Sequence, residues 1–477
     1  MGLFSDLLTF KGGVHPPTRK ERTNHGHIEV APPPSRVIIP VAQHIGAPAD
    51  VVVKKREQVK RGQVIAAAQG FVSAPVHAST SGKVKDIGPA WSSNGQRVPC
   101  VTIEADGEDT WADDVLVDRP DFMELPPEEL RQIIFDAGIV GLGGAAFPSH
   151  VKLAPPKEKR IHTVILNGVE CEPYLTADHL LMLERGEEVV AGLKLIMRVV
   201  GAEKGIIGIE ANKPDAIRHL KQLTKGDKNI RVVALQVKYP QGGEKQLIYA
   251  VTRKEVPSGG LPMDLGIVMN NVGTAAAMYR ACRYGEPLTE RVTTVTGDGV
   301  VNPRNFLARI GTPFGELIEL CGGFQGEPGA VINGGPMMGI AVPSLDVPVI
   351  KGTSGILVLR KEELPPRDYE PCIRCGMCVR GCPVQLVPSA LSDYGEHRML
   401  EELEDYHIFD CIECGSCSYV CPSKRPIVQF IRYGKREIIA EREKKRARQA
   451  AREEAAKQAE AGETAQPEEQ ETAEVTA

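Results

Sequence analysis

The sequence predicts a multidomain α/β protein, and three observations carry that expectation. At 477 residues the chain is longer than one core usually organises, so several domains are expected. Over residues 120–285 apolar strands alternate with amphipathic helices, which implies a largely parallel sheet covered on both faces. One cysteine spacing also occurs twice: Cys372, Cys375, Cys378 and Cys382 with Pro383 recur as Cys411, Cys414, Cys417 and Cys421 with Pro422.

Taken in order, residues 1–35 read as an irregular segment, because Gly12-Gly13, Pro16-Pro17 and Pro32-Pro33-Pro34 oppose regular structure. Leu3, Phe4, Leu7, Leu8 and Phe10 open it without a basic region or cleavage site. They read as a terminal turn packed on the protein, or as a short contact with a membrane surface or partner. Over 36–110 short valine strands (Val51-Val52-Val53, Val59, Val64-Ile65) are separated by polar turns such as Lys60-Arg61-Gly62-Gln63, and Ser81-Gly82-Lys83-Val84 follows. This resembles the barrel-sandwich of lipoyl and biotinyl domains. No modified lysine has a counterpart around Ala68 to Val72, so the resemblance implies the fold and no swinging arm.

In the 120–285 region, 127–137 is predicted helical, with Leu130, Ile133, Ile134 and Ala137 on one face and Gly138 as its stop. Strands are expected at 163–166, 206–209 and 232–237, and helices at 180–200, 214–223 and 244–252, with Pro214 a usual start signal. Residues 286–345 form a compact mixed unit: a strand at 292–296, a helix near 315–321, and strands 330–333 and 338–342 around a glycine turn. It resembles the ligand-binding β-grasp domains found beside flavin domains. The tail, 438–477, pairs Glu441 with Lys445 and Glu453 with Lys457, which favours an exposed helix, with disorder expected beyond Gly462.

The chemistry is clearest in residues 365–435. The C-x2-C-x2-C-x3-C-P spacing is that of bacterial two-cluster ferredoxins, in which the fourth cysteine of each run ligates the other cluster. Cys372, Cys375 and Cys378 therefore pair with Cys421 on one [4Fe-4S] cluster, and Cys411, Cys414 and Cys417 pair with Cys382 on the second. Structural zinc has no use for a third thiol at this spacing. Disulfides this dense belong to small secreted domains. Cys100, Cys171, Cys282 and Cys321 are scattered and read as free thiols. A net charge of −5 argues against nucleic acid, and no apolar run approaches the ~18–20 residues that span a bilayer.

Four further segments share a pattern. Gly141-Leu142-Gly143-Gly144-Ala145-Ala146-Phe147-Pro148 is a loop that admits a flat or phosphorylated ligand close to its backbone. A helix rather than a strand precedes it, which sets aside a dinucleotide fingerprint. Asn167-Gly168-Val169-Glu170-Cys171-Glu172-Pro173 follows a buried strand, and Tyr239-Pro240-Gln241-Gly242-Gly243-Glu244 leads into a helix whose N-terminus suits phosphate. Asn270-Asn271-Val272-Gly273-Thr274 offers amides. In this order they resemble the flavin site of the FMN-carrying subunit of respiratory complex I. The resemblance implies that Gly141, Gly143, Gly144, Lys152, Asn167, Glu170, Tyr239, Gly242, Asn270, Asn271 and Thr274 line FMN, with Phe147 and Glu172 toward NAD(H). Leu142, Val169 and Gly243 stand where that family has Arg, Asp and Glu. A flavin also fits the electron count, since it accepts a hydride and releases electrons singly to one-electron clusters.

With the opening Phe10-Lys11-Gly12-Gly13-Val14-His15-Pro16-Pro17, the whole order resembles the RnfC family, one of the subunits of the Rnf (Rsx) electron-transport complex, over roughly residues 1–440. That implies a peripheral subunit on the cytoplasmic face of the bacterial inner membrane, held there through the other Rnf subunits. It would exchange electrons between NAD(H) and ferredoxin-side carriers through FMN and two [4Fe-4S] clusters. Two alternatives remain at this point: a soluble flavin/iron–sulfur reductase such as a cobalamin reductase, and an adaptor whose NADH site has decayed.

Overall fold

The computed structural model describes residues 7–93, 95–364 and 368–463, with side chains as far as 454. The first compact unit is a barrel-sandwich of two antiparallel sheets. One orders Arg36–Pro40, Arg97–Ala105, Gly82–Trp91 and Gln58–Val59; the other orders Asp50–Val51, Val64–Ala67 and Val76–His77. Val37, Ile39, Val59, Ile65, Val84, Val101 and Ile103 fill the space between them.

Behind it stands a four-stranded, all-parallel sheet in the order Ile230–Leu235, Lys204–Glu210, Thr163–Asn167, Ile267–Asn271. Alternate residues face opposite cores: Val164 and Leu166 pack on one side, Ile165 on the other. This is the two-residue period of a strand buried on both faces. The chain leaves Thr163–Asn167 on one side and returns to its other side only at Ile267–Asn271. The order therefore reverses between these two strands, and open α/β sheets bind ligands outside the carboxyl ends of strands at such a switch point.

The helix expected over 180–200 is two helices, Ala177–Glu184 and Gly186–Val200, because Arg185 leaves helical geometry at φ −126° and ψ 31°. The Val272–Tyr284 helix was not anticipated. Ala275, Ala276, Met278 and Ala281 bury it against the Gly186–Val200 side of the core.

The mixed unit is a six-stranded sheet in the order Ile28–Val30, Arg304–Arg309, Glu290–Thr296, Gly355–Arg360, Pro328–Asn333, Ile340–Ala341. Two expectations are corrected here. The segment 1–35 is not irregular throughout, since Ile28–Val30 pairs in parallel with Arg304–Arg309. Nor does the sheet stop at 345, since Gly355–Arg360 lies at its centre between Glu290–Thr296 and Pro328–Asn333. Both strands are stabilised by partners distant in sequence, which a local pattern does not reveal.

The three units interlock through buried cations. Lys351 Nζ donates to Pro75 O of the barrel at 2.8 Å and to Gly138 O of the parallel-sheet unit at 2.7 Å, and burial holds its pKa down at about 7. Arg61 of the barrel bonds Glu290 at 2.8 Å.

The cysteine-rich unit is made of short helices, with Met377–Gly381 packed on Ser416–Tyr419, and ends in the helix Ile427–Glu463. That helix begins eleven residues before the expected tail because Ile427, Ile431 and Ile438 dock it on Leu391, Leu403 and Ile408. From Glu441 to Glu454 it is exposed. Leu8 bridges to Leu235 and Phe10 is buried, whereas Leu3, Phe4 and the residues from 464 on lie outside the described residues. No helix among the described residues is long and apolar enough to cross a membrane.

Candidate functional site

The carboxyl ends of the two switch-point strands bring Asn167 and Asn271 into register as direct partners. Asn271 caps the Val272–Tyr284 helix: its Oδ1 accepts from Gly273 N at 2.8 Å, and its Nδ2 donates to Asp178 at 2.7 Å. Asn167 Nδ2 donates to Gly242 O at 2.8 Å, which joins the Asn167 and Gly242 segments. Thr274 Oγ1 accepts from Leu142 N at 2.8 Å and so fixes the glycine loop to the same helix. Lys152 Nζ bonds Glu244 at 3.1 Å and Met269 O at 2.9 Å.

Four segments of separate sequence thus converge on one rim. The loop's exposed side is Gly143, Gly144 and Ala145. Gly144 sits at φ +124°, and a Cβ added there would meet nothing within 4 Å, so the loop presents open backbone. Asn270 is buried with Nδ2 unpartnered, and Gln241 is fully buried with both amide atoms unpartnered. Buried donors are normally satisfied, so these atoms suit a bound polar ring system.

The 169–175 loop is held from below by two buried lysines. Lys20 Nζ donates to Glu170 O at 3.0 Å and Glu172 O at 2.9 Å, and also to Leu175 O. Lys213 Nζ donates to Val169 O at 2.7 Å. Burial pulls the Lys20 pKa down to about 8. The Glu170 carboxylate caps the Ala177–Glu184 helix, accepting from Asp178 N at 2.8 Å. Asp178 is itself raised to about 7 by burial and by the Glu170 charge. Lys20, Lys213 and Asp178 were not singled out in the sequence. Lys20 lies in a segment without periodicity, and nothing local marks it as buried.

The Tyr239 and Glu172 side chains make their contacts away from the glycine loop. The Tyr239 hydroxyl donates to Cys414 O at 2.8 Å and lies 3.5 Å from Glu172 Oε1. Glu172 accepts from Met337 N at 3.1 Å and Met338 N at 2.8 Å, at the glycine turn of the six-stranded unit. Its carboxyl is raised to about 7, chiefly by burial. Phe147 is half-buried, and its carbonyl accepts from Gly141 N at 2.9 Å, closing the loop. Leu142 packs in the core, while Arg291 from the six-stranded unit reaches within 3.4 Å of its carbonyl.

The eight repeated cysteines line two cavities. One is walled by Cys372, Cys375, Cys378 and Cys421, the other by Cys382, Cys411, Cys414 and Cys417. Each takes three thiols from one run and one from the other. Leu386 N and Glu413 N point at Cys382 and Cys411 Sγ, each at 3.4 Å. Burial lifts the Cys411 thiol to about 11 and pushes Cys414 and Cys417 upward as well. Left to themselves these thiols stay protonated; the positive charge of a metal centre is what makes such groups thiolates.

Residues 134–280 match the Nuo51 FMN-binding domain, 8–108 the RnfC barrel sandwich hybrid domain, 292–341 the SLBB domain, and 364–422 a 4Fe-4S dicluster domain. The chain is 51% identical to the RnfC-type subunit of the proton-translocating ferredoxin:NAD(+) oxidoreductase complex of Clostridium ljungdahlii, over 93% of this chain and 96% of that one. The chain belongs to this RnfC family. The sodium-translocating counterpart of Acetobacterium woodii is also 51% identical, over 91% of this chain and 98% of that one. The corresponding subunit of the ion-translocating oxidoreductase complex of Rhodobacter capsulatus is 44% identical, over 82% and 76%. As a member of the RnfC family, the chain is an electron-transfer component of an ion-translocating oxidoreductase, and its FMN and dicluster domains are those of that family. Family membership decides against the cobalamin reductase reading.

Proposed function

We propose that the chain exchanges electrons between NAD(H) and ferredoxin-side carriers, with FMN at the glycine-loop rim and a [4Fe-4S] cluster in each cysteine cavity. The observation that carries this reading is the Tyr239 bond to Cys414, which ties the rim segment to the wall of the buried cavity. FMN, when bound, supplies the conversion between a two-electron hydride and single electrons.

The chain's own residues do the positioning. Gly144 gives the ligand an open backbone edge, in a loop with Gly141 and Gly143; Asn167, Asn270, Asn271 and Thr274 present or hold polar groups around it; Lys152 and Gly242 close the side. Glu170 fixes the loop by capping its helix. Phe147 stands at the NAD(H) side, and Glu172 with Tyr239 shapes the passage toward the clusters. Cys372, Cys375, Cys378 and Cys421 hold one cluster and Cys382, Cys411, Cys414 and Cys417 the other, the second reached by backbone amides of the kind that tune such centres. The other subunits of the complex hold the chain at the cytoplasmic face of the inner membrane.

Anaerobic reconstitution with iron, sulfide and FMN, followed by an NADH titration, tests this. The expected result is flavin bleaching in visible absorbance with two reduced-cluster signals in EPR. A cluster-loaded chain that retains no flavin and never bleaches would return the adaptor reading.

A further inference from the structure

The opening segment Phe10 to Pro17 supplies no residue to either proposed cofactor, yet it packs against the Cys382 carbonyl of one cysteine cavity and against Tyr239 of the flavin unit. We infer that this strap positions the buried cluster relative to the flavin unit, with Gly12 and Gly13 as positioning residues. The inference rests on the ligand sets proposed above.

The contacts are close and one-sided. Gly12 adopts φ +75°, and a Cβ there would come 2.4 Å from Cys382 O, far inside the 3.4 Å of ordinary contact. Gly13 adopts φ +79°, and its Cβ would come 2.6 Å from Tyr239 O. Only glycine meets both demands, the left-handed backbone and the missing side chain. Gly13 N donates to Gly381 O at 3.0 Å. Val14 then exchanges both backbone hydrogen bonds with Tyr239, each at 2.8 Å.

Tyr239 in turn reaches Cys414, which lines the same cavity. Two thiols of one cavity, Cys382 and Cys414, are thus referenced to a single backbone pair, Val14 with Tyr239. The strap is itself fixed to the flavin unit. Lys238 Nζ donates to Phe10 O at 2.9 Å and sits over its ring, and His15 Nδ1 lies 3.1 Å from Val237 O. Among the described residues no strap hydrogen bond reaches Cys372, Cys375, Cys378 or Cys421. The effect is therefore specific to one cluster. A strap that merely stabilised the fold would act on both clusters alike, or on neither.

The test compares full-length, anaerobically loaded wild type with Gly12→Ala and with Gly107→Ala. Gly107 has a similar φ of +84° but nothing within 4 Å, so it controls for backbone strain alone. Gly12→Ala is expected to keep its iron and FMN and to bleach with NADH as wild type does. It should shift the EPR g-values and midpoint potential of one cluster signal and slow that cluster's reduction several-fold, while Gly107→Ala matches wild type. The shifted signal should be the one lost in Cys414→Ser and kept in Cys375→Ser.

Tyr239→Phe, which removes only a hydroxyl, should move the same signal and serves where Gly12→Ala does not fold. Unchanged signals in the folded variants, or equal shifts in both clusters, would overturn the strap's role. A wild-type chain that binds no iron, or a moved signal that survives Cys414→Ser, overturns the ligand assignment instead, and the strap's role with it.

Discussion

The two cysteine cavities share a backbone and differ in what surrounds it. Arg374 and Glu413 both sit at φ +56°, Gly376 and Gly415 at +72° and +76°, Gln385 and Lys424 at +58° and +52°. The spacing of the repeat fixes these turns, and with them the cage. Around the first cage Ile373 is 67% exposed and Met377 40%, and Cys372 and Cys375 are open to solvent. Around the second, Ile412 packs with Val14, Tyr239 and Met337, and Ser416 replaces the exposed methionine and is buried. Glu413, in the place of Arg374, is paired with Arg432 at 3.0 Å and Lys435 at 2.9 Å. The cysteines encode a container twice; the residues between them encode which container faces inward.

The largest effect should come from removing one thiol of each cage. Cys378→Ser and Cys417→Ser should each halve the bound iron, and each should abolish a different EPR signal. Flavin content stays near normal in Cys378→Ser; loss of flavin with both clusters would break the modular comparison.

Next is pH. Glu172, on the inward side, holds its proton to about pH 7 in the folded chain, against a usual value of 4.5. Through this group the folded state binds more protons across that window, so the Glu172 contribution to stability is greatest below it and is lost as pH rises toward 7. Asp178 adds in the same direction. The Glu172 share is on the order of 3 kcal/mol. Relative to wild type, Glu172→Gln should therefore gain Tm as pH rises from 5 to 7.5; a difference that does not change with pH would remove Glu172 as a source of the pH dependence.

Matched isoleucines give a finer contrast. Ile412→Ala should cost about 1–2 kcal/mol in thermal or denaturant unfolding, and Ile373→Ala within about 0.5 kcal/mol of nothing. Tyr239→Phe should cost about 1 kcal/mol, for one hydrogen bond to Cys414 O with the contact surface kept.

Much of this fold was legible locally. Strands such as Thr163–Asn167 announce themselves by a buried apolar run, and helices such as Pro127–Asp136 by a proline at the start and a glycine after the end. The repeated cysteine spacing disclosed its chemistry outright. What stayed hidden depends on distant partners: three residues at Ile28–Val30, the central strand Gly355–Arg360, and a lysine at position 20 whose burial is set by a loop 150 residues away. At the rim, glycines and asparagines were visible as residue types. The division of labour among them was not. A hydroxyl such as that of Tyr239 carries no sign of whether it faces a ligand or a neighbouring carbonyl.

The N-terminal strap also dictates when the molecule can be finished. Gly13 is made well before its partner Gly381, which is added only roughly 20–70 s later at ordinary elongation rates. Ile28–Val30 likewise waits for Arg304–Arg309 before it can pair. Both segments must therefore wait unpaired while the residues between them and their partners are made, and what is synthesised early is among the last to find its place.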